Sequence, residues 1–232
     1  MFGMLLKRAA CVAALLALFV VPFGCTATPP RPGTLDDSRF YGGSYEQRRR
    51  VRDAVHLMEE PVQLAVRSIH VTNDCPNYKP PDEEGNPHEA GHCEPTRDIC
   101  IRPAYARTPN VFHECGHALF MARSTDDRVR WTVVSIDAYG HTDGNFPRDG
   151  ILTWYGATSP KEDFAEWVRW AMCYCHHIPV SALFVDVRVI DVFDPRYLAH
   201  LQLLREWGAI SESQYEELEP LFTLRVNGAP LK

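Results

Sequence analysis

Two pentapeptides of the form H-E-x-x-H stand 25 residues apart in this chain, His88-Glu89-Ala90-Gly91-His92 and His113-Glu114-Cys115-Gly116-His117. The pattern constrains local structure sharply. Histidines four apart share one face on an α-helix, where both imidazoles reach a single metal ion and the intervening glutamate activates a water beside it. What the chain can do therefore turns on which copy is helical.

The first copy follows Lys79-Pro80-Pro81-Asp82-Glu83-Glu84-Gly85-Asn86-Pro87 and runs into Cys93-Glu94-Pro95. That density of proline, glycine and charge breaks helices, so the segment reads as a loop without a catalytic role. The second copy is preceded by Thr108-Pro109-Asn110-Val111-Phe112 and followed by Ala118-Leu119-Phe120-Met121-Ala122. Thr108 reads as an N-cap and Pro109 as the first helical residue. On that helix Val111, Phe112, Cys115, Ala118, Leu119 and Ala122 supply apolar flanks, while His113, Glu114 and His117 share another side. Two histidines satisfied by solvent or core are the plain alternative; helical context and apolar surroundings favour metal ligation.

The chain opens with Lys7 and Arg8, an apolar run from Ala9 to Val21, and Pro22-Phe23-Gly24-Cys25, the layout of an export signal over residues 1–24. About 13 apolar residues are too few for a permanent spanning helix. Gly24-Cys25 resembles the end of a bacterial lipoprotein signal, although Pro22 and Phe23 replace its usual leucine and small residue. A lipid anchor at Cys25 and simple secretion both stay open, and such an anchor is the one membrane contact expected. Removing the signal takes Lys7 and Arg8 but no acid, leaving 22 basic against 30 acidic residues, a net charge of −8. That balance, with no basic tract, argues against nucleic acid as a partner. Beyond Cys25 six cysteines remain: Cys75, Cys93, Cys100, Cys115, Cys173 and Cys175. An even number in an exported chain suggests disulfides, with fifteen pairings possible. Cys115 points off the ligand side and reads as core or as a partner for Cys173 or Cys175.

Residues 25–43 are rich in proline, glycine and serine and read as a flexible tether ahead of a folded part spanning 44–232. Ser44 to Glu60 reads as an amphipathic helix. Val62 to Thr72 reads as a helix end followed by a strand from Ser68, and Ile99-Cys100-Ile101-Arg102 as a strand before the motif helix. Arg130 to Ile136 is a further strand candidate, and Asp137 to Arg148 a polar loop. Ser159-Pro160 opens a second strong helix to about Tyr174. Pro195 to Trp207 and Ser211 to Phe222 read as two short helices forming a C-terminal buttress.

A catalytic zinc site takes three protein ligands and an open position. The best candidate for the third is Glu162, with Glu166 four residues on and so on the same face, where it can accept a hydrogen bond from a ligand imidazole. Acidic residues there otherwise serve the helix dipole. Asp137 and His141 are the alternative third ligands. No G-x-x-H follows His117, which excludes the extended three-histidine pattern.

The set His113-Glu114-x-x-His117, Tyr155 and Glu162-x-Phe164-Ala165-Glu166 resembles the zinc peptidase family typified by the catalytic domain of anthrax lethal factor and by secreted bacterial proline-proline endopeptidases. The resemblance covers roughly Ile99 to Cys175. It implies Glu162 as third zinc ligand, a tyrosine seven residues earlier, Tyr155, assisting the transition state, and Glu114 as general base. It also implies a zincin-like α+β fold with an active-site helix, a small sheet and C-terminal helices. Outside that span nothing matches, so the family's substrate preferences do not transfer. The function expected is that of an exported zinc endopeptidase acting on a peptide or protein substrate. The alternative is a non-catalytic surface lipoprotein that binds a partner, and retention of Glu114 weighs against it, since zinc binding alone does not need that residue.

Overall fold

The structure, a computed structural model, describes residues 36–78, 90–179 and 194–223. The expected signal, Cys25, the tether as far as residue 35, and His88 and Glu89 of the first pentapeptide lie outside the described residues. Among those described, seven α-helices and a four-stranded sheet make up an α+β architecture. No helix among them is long and apolar enough to cross a membrane.

The strands are β1 (Phe40–Gly42), β2 (Ser68–Val71), β3 (Gly91–Cys93) and β4 (Asp98–Ile101), arranged β1-β2-β4-β3. β1, β2 and β4 run parallel, and β3 closes one edge antiparallel to β4 with His92 opposite Cys100. Alternation sorts the side chains: Ile69, Val71, Ile99, Ile101 and Cys93 enter the core, while His70, Asp98, Cys100 and His92 take the other face. Two expectations are corrected here. The tether was drawn to residue 43, yet residues 37–39 form a 3-10 turn and β1 pairs with β2, because Phe40 packs against the core. The first pentapeptide was read wholly as a loop, yet Gly91 and His92 lie in β3, so His92 stands on an extended strand and not on a helix.

Helix α1 (Tyr45–His56) begins at a capping box in which Ser44 and Gln47 satisfy each other's backbone donors. The expected single helix to Glu60 stops earlier, and Pro61 opens a separate α2 (Glu60–Ala65). The motif helix is α3 (Thr108–Ala122). Its N-cap is Arg107, without a side-chain cap bond, so Thr108 is the first helical residue and not the cap expected.

Arg130 to Ile136 is not a strand. It ends α4 (Thr125–Val134), which Ser124 caps by accepting from the Asp127 N–H at 3.1 Å, with Asp126 and Asp127 in the first turn. Those start signals outweigh the β propensity of Trp131 to Val134. Trp131 alone is buried in α4, and Val129 and Val133 stay exposed, so no strand face existed to bury. Helix α5 (Pro160–Cys175) follows, then α6 (Pro195–Glu206) and α7 (Glu212–Thr223), which pack on one another as α6 meets α4 and α7 meets α5. The core is aromatic where these helices meet: Trp131 stacks on His200 at 4.1 Å and meets Phe164 edge-on at 4.8 Å.

Candidate metal centre

Helix α3 is buried on every side from Val111 to Phe120, pressed between the sheet, α2 and α5. Its crossing with α5 is close because Gly116 has no side chain; a Cβ there would lie 3.0 Å from the Ala165 Cα. That approach, one turn along from Glu162, lets the carboxylate reach both motif histidines. Ser159 fixes the start of α5, its hydroxyl accepting from the Glu162 N–H at 3.3 Å.

The result is a convergence of three ligand atoms. Glu162 Oε2 lies 3.2 Å from His113 Nε2 and 3.0 Å from His117 Nε2, and all three atoms fall within 4.8 Å of one another. Ligands held about 2.0–2.1 Å from a tetrahedral ion stand about 3.3–3.4 Å apart, so the spacing suits one. Glu162 Oε2 is buried and accepts no well-angled hydrogen bond from either ring. This His-His-Glu group can hold a metal ion, and among the described residues it is the one group of three whose ligand atoms all lie within 4.8 Å of one another. Neither Asp137 nor His141 joins it; both are exposed.

Behind His113 the structure adds a further carboxylate. Glu166 Oε1 stands 2.8 Å from His113 Nδ1, on the far side of that ring from the convergence point. Glu166 is itself held by Arg169 and by the Thr153 hydroxyl, which donates at 3.1 Å. Thr153 in turn accepts from the Gly156 N–H at 3.0 Å, tying the turn that carries Tyr155 to the same network. The Tyr155 ring tilts over His113 with centroids 5.8 Å apart, and its hydroxyl contacts Glu162. Beside it a cleft of about 170 Å³ is lined by Thr153, Trp154, Tyr155, Glu166 and Arg169.

Electrostatics follow from this crowding. Burial alone lowers His113, but contacts with Glu162 and Glu166 outweigh it and raise the imidazole to about 9. Burial and the charge on His113 depress His117 to about 4. Glu162, raised by burial, is held well below the usual carboxylate range by the two histidines. Burial, then the Glu162 and Glu114 carboxylates, raise Tyr155, which keeps its hydroxyl protonated as a donor.

Glu114 is 5 % exposed and pressed by the edge strand: a Cβ on Gly91 would come 2.6 Å from its Oε1. Gly91 was not foreseen as part of the site, nor was Thr153, and nothing in their local sequence announces them. Arg169, three residues from Glu166, was legible as a helical ion pair. Beneath the ligands lies a second unforeseen group. Asp163 Oδ2 accepts from Trp131 Nε1 at 2.9 Å and from the hydroxyl of partly buried Tyr139 at 3.0 Å, with His200 Nε2 3.7 Å away; Asp163, Trp131 and His200 are fully buried. Burial raises Asp163 against those two hydrogen bonds. Cys115 and Cys173 are buried in the core and Cys175 partly buried against it, and their thiols are free, as are those of Cys75, Cys93 and Cys100. The chain matches no protein-family model, no curated protein and no solved structure.

Proposed function

We propose that the chain is an exported zinc-dependent endopeptidase with a zincin-like catalytic domain. The observation that carries this reading is the convergence of His113 Nε2, His117 Nε2 and Glu162 Oε2 on one point beside a buried Glu114. Two imidazoles and one carboxylate at that spacing are a donor set suited to zinc. The motif order that resembles the lethal factor family supports it, and the export-signal layout of residues 1–25 supports the location.

When bound, zinc supplies Lewis acidity toward water and the peptide carbonyl. The remaining work belongs to the chain. Glu114 accepts the proton that water loses as its oxygen bonds the carbonyl carbon, and returns it to the amine as the C–N bond breaks. Tyr155, protonated and beside Glu162, donates a hydrogen bond to the developing oxyanion. Glu166 orients His113 through Nδ1, and Arg169 and Thr153 hold Glu166. The cleft beside Trp154 and Tyr155 receives one side of the peptide.

The test is a peptide-library digest with wild-type protein and Glu114→Ala, alongside metal analysis of both. Both proteins should carry about one zinc per chain, and only the wild type should cleave. Equal cleavage by both would sink the mechanism, and zinc without cleavage in either would favour a partner-binding protein instead.

A further inference from the structure

The sheet face turned away from the core carries Ser68, His70, Asp98, Cys100 and His92, an unusual place for a buried cysteine. Cys100 is nonetheless 8 % exposed, and the segment after β2 runs beside the end of β4. That segment is well tethered. The Thr72 N–H donates to the Ile101 carbonyl at 2.9 Å, the Tyr78 hydroxyl donates to the Thr72 carbonyl at 3.4 Å, and Arg102 lies over the Tyr78 ring at 4.0 Å.

The same segment brings Cys75, 7 % exposed, over the strands. Its thiol donates to Glu94 Oε1 at 3.7 Å. Glu94 follows β3 opposite Asp98, its N–H donating to the Asp98 carbonyl at 2.9 Å, so Cys75 is held above the β3–β4 ladder two residues from Cys100. Glu94 Oε1 also stands 3.8 Å from His92 Nε2, and His92 pairs opposite Cys100, so the free thiols of Cys75 and Cys100 share this face as neighbours. The other thiols lie elsewhere: Cys93 enters the core from the opposite face of β3, and Cys115, Cys173 and Cys175 belong to α3 and α5.

We propose that Cys75 and Cys100 form a disulfide, the covalent clasp of the outer sheet face. Closure removes two protons and two electrons, which pass to a disulfide oxidant such as glutathione disulfide. A thiolate of the pair attacks the oxidant's S–S bond, releasing one glutathione thiolate and leaving a mixed disulfide. The second cysteine then displaces the other glutathione. The link encloses about 25 residues, a loop length at which cross-linking strongly restricts the unfolded chain.

The experiment uses the full chain, reduced and then incubated with glutathione disulfide, with mass spectrometry of a non-reduced digest. The expected result is a peptide pair linked through Cys75 and Cys100, with a thermal midpoint about 5–10 °C above that of the reduced chain. Cys75→Ser and Cys100→Ser should each lose that increment. Both thiols remaining open to alkylation after oxidation, or Cys75 linked to any other cysteine, overturns the proposal. So does an increment that survives in both variants. None of these readings depends on zinc or on peptide cleavage.

Discussion

Glu162 and Tyr155 approach the same point from one stretch of chain, yet the proposed mechanism gives them different duties, and substitutions should separate them. Glu162 contributes an oxygen to the convergence, so Glu162→Ala should lose zinc and cleavage together. Tyr155 contributes a proton donor, so Tyr155→Phe should keep zinc while kcat falls roughly 10²-fold or more, the scale of one lost oxyanion donor. Glu166→Gln should lie between, weakening zinc about 10–100-fold by loosening the orientation of His113. Zinc titration beside steady-state kinetics reads all three. Retained tight zinc in Glu162→Ala would assign the third ligand elsewhere. At this scale the sequence was informative, since H-E-x-x-H and two glutamates four apart are helical geometry written in spacing. It was silent on Gly91 and Thr153, whose places depend on neighbours far along the chain.

The second strong helix owes its position to its first turn. Ser159 accepts from the backbone N–H of Glu162 itself, so this cap fixes both the helix end and the carboxylate it carries. Ser159→Ala should lower stability by about 1 kcal/mol, a thermal shift of about 2–4 °C, and should weaken zinc binding measurably. A thermal shift with unchanged zinc affinity would confine the cap to stability. The same capping logic explains what was legible among the elements. Ser44, Pro160 and the breakers around them mark α1 and α5 in the sequence, whereas Trp131-Thr132-Val133-Val134 favours a strand by composition and is helical because Ser124 and two aspartates open the turn before it. β3, three residues long, has no period to read, and only pairing with β4 makes it a strand.

For the molecule as a whole, the ligands join α3 to α5, the two helices around which the remaining elements pack. Occupancy of the site should therefore stabilise the entire fold and not one loop. With free zinc at about a hundred times its dissociation constant, the gain is about 2.7 kcal/mol, or about 5–10 °C in thermal midpoint, and a chelator should remove it. His113→Ala should melt identically with and without zinc. A wild-type midpoint indifferent to chelation would argue against a metal at this crossing. The two pentapeptides also meet in space, since Gly91 of the first presses on Glu114 of the second. A substitution scan scored on metal binding would thus find intolerant positions in both signatures, His113 and His117 in one for their ligand atoms and Gly91 in the other for lacking a side chain, and would count two metal sites where the described residues bring together one ligand group.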